Sequence, residues 1–243
     1  RYYFAGIPLF KILKNTTLRD FIYGSLFKKQ KDFVKRGKLE IEYIKKCKNV
    51  IGRTSWDKTH TYFFNKKAKY FFCNESLRSN FYTARKWDIS SVKKHTVFLS
   101  QAGYPIKGAH QIIKAVNLIK DEFPNIKVSI GGYRITQDNS FLGKLKLLGY
   151  GRYLKGIIHK YELQENIEFT GNLNENQMIE KYQRSHIFVC PSSIENSSNS
   201  IGEAQIIGTP VISSYVGGIN EMVIPNKSGL VYRFEEYEML AYL

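Results

Sequence analysis

The sequence predicts an α/β fold on parallel sheets, laid out in two unequal parts. Three observations carry that prediction. From residue 96 onward, short β-rich runs alternate with amphipathic helical stretches in the order strand, helix, strand, which is the pattern of βαβ units. A shorter version of the same alternation occupies residues 28–73. The charge also changes between the two: residues 1–95 carry 23 Lys/Arg against 7 Asp/Glu, the whole of the net +16, while residues 96–243 carry 14 of each. A partial first domain over 1–94 and a second domain over 95–243 are therefore expected, joined through the polar stretch "RKWDISSVKKH" at 85–95.

Taken in order, residues 1–27 read as aromatic and irregular. Residues 28–47 read as a helix, with Phe33, Gly37, Ile41, Ile44 and Cys47 on one face and lysines on the others. A strand "NVIG" follows, then a helix opened by a capping pattern, Thr54 with Asp57 three residues on, then a strand "KYFFC". In the second part "TVFLS" is a strand. "KGAHQIIKAVNLIKDEF" is a helix with Ile112, Val116 and Ile119 on one face, stopped by Pro124. Strands are expected at "IKVSIGG", "NIEFTG", "HIFVC", "PVISS" and "SGLVY". Helices are expected around 151–161, at 174–185 with Asn174 as cap, at 200–207, and as one turn at "INEMV". The chain ends in "MLAYL", which reads as part of a helix, and its start lacks an initiator methionine, so the sequence reads as a fragment.

Composition narrows the classes. No apolar run approaches the ~20 residues of a membrane-spanning helix, and "RYYFAGIPLF" lacks the parts of a secretion signal. Cys47, Cys73 and Cys190 are too widely spaced for a disulfide framework or a metal site, which suits a reducing, cytoplasmic setting. The basic first part suits a polyanion, including anionic lipid headgroups at the inner face of a membrane, or simply a solvated lysine-rich surface.

The richest stretch is "SSIENSSNSIGEAQIIGTPVISSYVGG" at 192–218. Ser198 or Asn199 can cap the helix at 200–207, and Gly208 with Pro210 ends it. The helix follows a strand and a polar loop, so its unsatisfied N–H groups sit at the mouth of the sheet, where a phosphate binds. Small serines at 197, 198 and 200 let a phosphate approach the backbone. Glu203, expected in the first turn, can accept from vicinal hydroxyls such as a ribose's, and Glu195 from those of a sugar. Each glutamate alone reads more simply as a solvated or dipole-complementing acid; the strand–loop–helix context favours a site.

This stretch resembles the E-x7-E region of retaining glycosyltransferase family four, of GT-B fold. The match runs through Pro191, Glu195, Glu203, Ala204, Gly208, Pro210, Gly217, Gly218 and Glu221. "FLSQAGYPIKGAHQIIKAVNLIKDEFPNIKVSIGG" is similar to the opening of that family's nucleotide-binding domain, and "IEFTGNLNENQMIEKYQRSHIFVCPSS" to its linking segment. The resemblance covers about residues 96–234, with residues 1–95 similar to the later half of an acceptor-side Rossmann-like domain.

The resemblance implies a transferase that moves a sugar from a nucleotide-diphosphate sugar to a glycan, lipid-linked or polysaccharide acceptor, with retention of configuration and no obligatory metal or cofactor. Glu195 would contact the donor sugar and Glu203 the ribose. The amides of Asn199, Ser200 and Ile201 would hold the pyrophosphate, Lys107 would neutralise the leaving group, and backbone groups at Thr170, Gly171 and Asn172 would meet the base. Gln101 stands where the family usually has an arginine; Arg134 and Arg152 are the candidates to replace its charge. The acceptor-side histidine of the family has no counterpart among His60, His95, His110, His159 and His186. The expectation for this chain alone is nucleotide binding with poor transfer.

Rival readings are weaker. A basic nucleic-acid-binding protein is suggested by charge and 14% aromatic residues, but no nucleic-acid motif accompanies them, and nucleic acid is not an expected partner. A dinucleotide-dependent oxidoreductase needs a G-x-G-x-x-G that "SIGGYRIT" does not supply. A GT-B epimerase or phosphorylase is the nearest alternative.

Overall fold

The computed structural model describes residues 2–132 and 147–243. Arg134 lies outside them. A six-stranded sheet organises the larger part. Its strands are β3 (Lys93–Leu99), β4 (Lys127–Gly131), β5 (Ile167–Gly171), β6 (Ser185–Cys190), β7 (Val211–Ser214) and β8 (Leu230–Tyr232). All neighbours are parallel, in the order β5-β4-β3-β6-β7-β8. This is the doubly wound Rossmann order, and its direction reverses between β3 and β6. The carboxyl ends of those two strands therefore diverge into a crevice.

Helices cover both faces: α6 (Ala109–Ile119), α7 (Gly149–Lys160), α8 (Glu175–Arg184), α9 (Asn199–Ile207), α10 (Ile219–Met222) and α11 (Tyr237–Tyr242). Strands buried on both faces need apolar residues on both, and Phe98, Val128, Ile130, Phe188 and Val211 are all nearly inaccessible. Two expected helix ends form as read, while Ser198 stands at the N-cap of α9 with no side-chain bond to the helix backbone. Asn174 and Gln177 form a reciprocal capping box at α8, and Gly208 takes the left-handed conformation that ends α9.

The first part holds a two-stranded parallel sheet, β1 (Asn49–Gly52) and β2 (Lys69–Phe72), joined through α4 (Ser55–Phe64). The Thr54–Asp57 capping box forms as the spacing predicts. Before it runs the long helix α3 (Leu26–Lys46). Its face at Phe33, Gly37, Ile41 and Ile44 is half-buried, while Cys47 lies just past the helix end and is exposed.

Residues 1–27 differ from expectation. They hold a 3₁₀ turn (Tyr2–Phe4) and helices α1 (Leu9–Asn15) and α2 (Leu18–Tyr23). Such short helices carry no period long enough to read, and tertiary contacts form them instead. Tyr3, Ile7, Ile12 and Leu26 pack into the same core cluster as Ile113, Ile130 and Leu154, so one core runs across residue 95. His110, fully buried, lies 2.9 Å from the Ala5 carbonyl and 3.1 Å from the Tyr150 hydroxyl.

The stretch 85–95 is also more structured than expected of a linker. Residues 93–95 already belong to β3, and Trp87 is tied down by its indole N–H to Ser185 O (2.8 Å) and its amide to Ile207 O (2.7 Å). A short helix, α5 (Ser79–Thr83), precedes it and packs on α9, with Phe81 wholly buried.

Candidate functional site

The crevice at the β3/β6 switch point holds a cavity of about 440 Å³. Ser100, Gln101 and Lys107 line it from the segment after β3, Gly132 from beyond β4, and Asn172 from beyond β5. Glu195 and Ser197–200 line it from the loop after β6 and the first turn of α9, and Glu203 from farther along that helix. The loops meet here because glycines let them. At Gly108 (φ +71°) a Cβ would fall 1.6 Å from Pro191 O, so the turn after Lys107 closes directly on the β6 loop. At Gly217 (φ +55°) a Cβ would fall 1.7 Å from Glu195 O, and the next N–H, of Gly218, donates to that carbonyl at 3.1 Å. The glycine pair in the sequence is thus the surface on which the Glu195 backbone rests.

The ammonium of Lys107 donates to Glu195 Oε1, which also accepts from Ser192 Oγ at 2.9 Å. Both side chains are mostly buried, at 20% and 14% exposure. Burial alone would lower the lysine pKa, but the Glu195 charge and hydrogen bond outweigh it and hold Lys107 above its ordinary value. Lys107 is therefore a fixed cation, and among the described residues it is the one Lys or Arg lining the cavity.

Glu203 sits in the second turn of α9, not the first, because the helix begins at Asn199. Its side chain still reaches the cavity and is 8% exposed. Arg78, just before α5, places Nε at 3.1 Å and a terminal nitrogen at 2.8 Å from Glu203 Oε1. The guanidinium carbon stands 4.6 Å from the Phe81 ring centroid, which fixes its plane. The Tyr182 hydroxyl lies between Ser200 O (3.1 Å) and Glu203 Oε2 (3.3 Å). Burial raises the Glu203 pKa, and the Arg78 contacts and Tyr182 bond only partly offset it. Neither Arg78 nor Tyr182 was among the site residues expected from sequence. Arg78 is 125 positions from its partner, and Tyr182 reads as one more core aromatic.

At the amino end of α9 the N–H groups of Asn199 and Ser200 meet no acceptor among the described residues, and both residues line the cavity. Ile201 differs. Its N–H donates to Ser198 O at 3.1 Å and its side chain is fully buried, so it is not available as the sequence suggested. Gly171 also falls outside the lining; it ends β5 with φ +71°, its carbonyl accepting from Gly132 N–H at 2.9 Å, while Asn172 faces the cavity. Arg152 is exposed on α7 and does not line the cavity, so it brings no charge there in place of Gln101.

The first part of the chain touches the same loop. Thr54 Oγ1 donates to Asn196 Oδ1, and Asn196 Nδ2 donates to Asp57 Oδ2 at 2.8 Å. Ser55 N–H donates to Glu221 Oε1 at 2.6 Å. A second cavity of about 270 Å³ shares residues 197–199 with the first and is closed by Arg53, Phe72, Glu75 and Glu221. Among the described residues no three His, Cys, Asp or Glu side chains are grouped closely enough to hold a metal ion.

The family of glycosyl transferases group 1 matches residues 83–242, about two thirds of the chain. This chain belongs to the glycosyl transferases group 1. Over 152 residues it is 24% identical to a glycogen synthase of Mycobacterium tuberculosis, a match covering 60% of this chain and 33% of that protein. Over 86 residues it is 34% identical to the gpi3 subunit of phosphatidylinositol N-acetylglucosaminyltransferase of Schizosaccharomyces pombe, covering 35% and 19%. Among solved structures it superposes on sucrose-phosphate synthase from Thermosynechococcus elongatus with a TM-score of 0.68, at 19% identity, over 84% of this chain and 50% of that one. It superposes on Anabaena HepE in complex with UDP and glucose with a TM-score of 0.68, at 18% identity, over 84% and 55%. These likenesses set the fold as GT-B type. The chain spans about a third of the length of the glycogen synthase and about half of these two solved chains.

Proposed function

We propose that this group 1 chain carries the donor side of a retaining, family-four glycosyltransferase, moving a sugar from a nucleotide-diphosphate sugar to a glycan or lipid-linked acceptor. The observation that carries the reading is the amino end of α9. Two backbone N–H groups that meet no acceptor among the described residues belong to residues lining a cavity that a mostly buried, charged lysine also lines. A helix amino end and a fixed cation are a diphosphate site. The UDP and glucose held by HepE are consistent with such a ligand.

In this reading the diphosphate lies across Asn199, Ser200 and Lys107. Glu195 exchanges part of its contact with Lys107 for hydroxyls of the donor sugar, held in orientation by Ser192. Glu203, oriented by Arg78 and Tyr182, accepts from the ribose hydroxyls, and Asn172 lies on the base side. As the sugar–phosphate bond breaks, negative charge grows on the diphosphate. The lysine and the helix amides are already aimed at it, so no solvent needs to reorganise and no metal is required. Neither glutamate serves as the proton donor of a hydrolase. The acceptor approaches through the second cavity, which shares the wall at 197–199.

A thermal-shift panel of UDP-, GDP- and ADP-sugars tests this. One nucleotide class should raise the Tm by about 5 °C or more at ~100-fold excess over its Kd. Lys107→Ala and Glu203→Ala should each remove most of that rise. If no nucleotide shifts the intact chain, the reading fails.

A further inference from the structure

Helices α1 and α2 expose an apolar surface of unusual size for so short a segment. Phe10, Leu13, Leu18, Phe21 and Ile22 are each between 62% and 79% exposed. Single exposed apolar residues are ordinary, but a contiguous set marks an interaction surface. The exposure is not loose packing, because the opposite sides of the same helices are anchored. Ile12 is 4% exposed in the main core, and α1 packs along α7. Asp20 accepts the Gly149 N–H at 3.0 and 3.1 Å and the Thr17 N–H at 2.7 Å.

Charge says what covers this surface. Helices α1 and α2 hold three cations, Lys11, Lys14 and Arg19, and a single acid, Asp20, which is 3% exposed; the start of α3 adds Lys28, Lys29 and Lys31 beside an exposed Asp32. The outer face of α1 and α2 therefore offers apolar tips among cations, with no exposed carboxylate on either helix. The cations stand beside the rings: the Arg19 guanidinium lies 4.8 Å over Tyr23 and the Lys11 ammonium 5.9 Å over Phe10. Protein–protein interface cores are depleted in lysine, whereas aromatic and aliphatic tips among Lys and Arg match the boundary of an anionic bilayer. Helix α3 is a contrast within the same chain. Its outer face mixes Lys35, Lys38 and Lys45 with exposed Glu40 and Glu42, an ordinary solvated pattern.

We infer that α1 and α2 form a docking face for an anionic lipid surface, with Phe10, Leu13, Leu18, Phe21 and Ile22 entering the headgroup boundary and the adjacent cations meeting lipid phosphates. The chain lies on the membrane through this face; no described helix is long and apolar enough to cross one. The face is joined to the donor cavity. Tyr3, Asp20 and Leu26 close a small pocket against Gly103, Tyr104 and Pro105, the segment that carries Gln101 at one end and Lys107 at the other. Docking would set that cavity beside the bilayer. This deepens the lipid-linked acceptor part of the proposed function and does not depend on the donor chemistry.

The test is co-sedimentation of the full chain with phosphatidylcholine vesicles, with and without phosphatidylglycerol. The chain should pellet with the anionic vesicles and lose binding as salt rises. The triple variant Phe10→Ser, Phe21→Ser, Ile22→Ser should bind about ten-fold or more weakly. Its Tm without ligand should match the parent's, which shows that it folds whether or not the donor reading holds. Lys35→Ser with Lys38→Ser on α3 should bind as the parent does. The inference is overturned if the parent ignores anionic vesicles, or if the triple variant binds them equally. It is also overturned if ultracentrifugation shows the parent to be a dimer that the triple variant converts to monomer, since a second copy would then be the occupant.

Discussion

At the scale of single residues, the proposed donor cavity depends on side chains whose charges are set by their neighbours. Glu203 is the clearest case. Burial works against its ionised form, and Arg78 keeps both bonding nitrogens on the one oxygen Oε1, leaving Oε2 to Tyr182 and to a ligand. Arg78 thus positions the carboxylate of Glu203, the group proposed to meet the ribose hydroxyls. Arg78→Ala should cost about 1 kcal/mol of stability, since the guanidinium is 42% exposed and largely screened. It should also weaken binding of a ribonucleoside diphosphate by about ten-fold while leaving the 2′,3′-dideoxy analogue unaffected. Calorimetric titration of both ligands separates this role from a purely structural one, which would weaken the two alike.

Single elements show what a sequence can and cannot display. The carboxyl end of α9 was legible because Gly208 and Pro210 act locally, and the alternation of strands from residue 96 onward gave the sheet; Ser198 marks the amino end without a side-chain cap bond. Glu195, Lys107 and Glu203, singled out through the family resemblance, all line the cavity. Arg78, Tyr182 and the short helices α1 and α2 were not, because long-range packing alone defines them. Helix α6 adds a pH dependence of the same hidden kind. His110 is wholly buried on it, and burial, aided by the nearby Lys114 charge, pushes its pKa down to about 3. In the unfolded chain it titrates near 6.5. Between those values the unfolded state binds the extra proton, so folding stability is intact above about pH 6.5 and falls as the pH drops towards 3. The slope approaches ~1.4 kcal/mol per pH unit from this group alone. Urea melts from pH 7 to 4.5 should show it, and the slope should flatten in His110→Gln.

The whole molecule pairs one large core with a thin first part. The six-stranded sheet is buried on both faces, whereas β1 and β2 leave Ile51 (71%), Phe71 (51%) and Phe72 (62%) exposed. Two strands with so much wet surface hold little stability of their own. They are secured instead at the α4 amino end, by Thr54, Ser55 and Asp57 against Asn196 and Glu221. Amide hydrogens of β1 and β2 should therefore exchange by local opening well before those of β3 and β6. Because their anchor is the loop that carries Glu195, nucleotide should slow that exchange. Hydrogen-exchange mass spectrometry with and without the nucleotide measures both effects.

The central claim is that the amino end of α9, Lys107 and the two glutamates hold a nucleotide-diphosphate sugar. A crystal structure of the chain with the nucleoside diphosphate it binds most tightly tests this most directly. The account predicts phosphate oxygens about 3 Å from the N–H groups of Asn199 and Ser200 and from Lys107 Nζ, with the ribose hydroxyls on Glu203. A diphosphate bound elsewhere, or one in this cavity that leaves those amides untouched and the ribose away from Glu203, would contradict it.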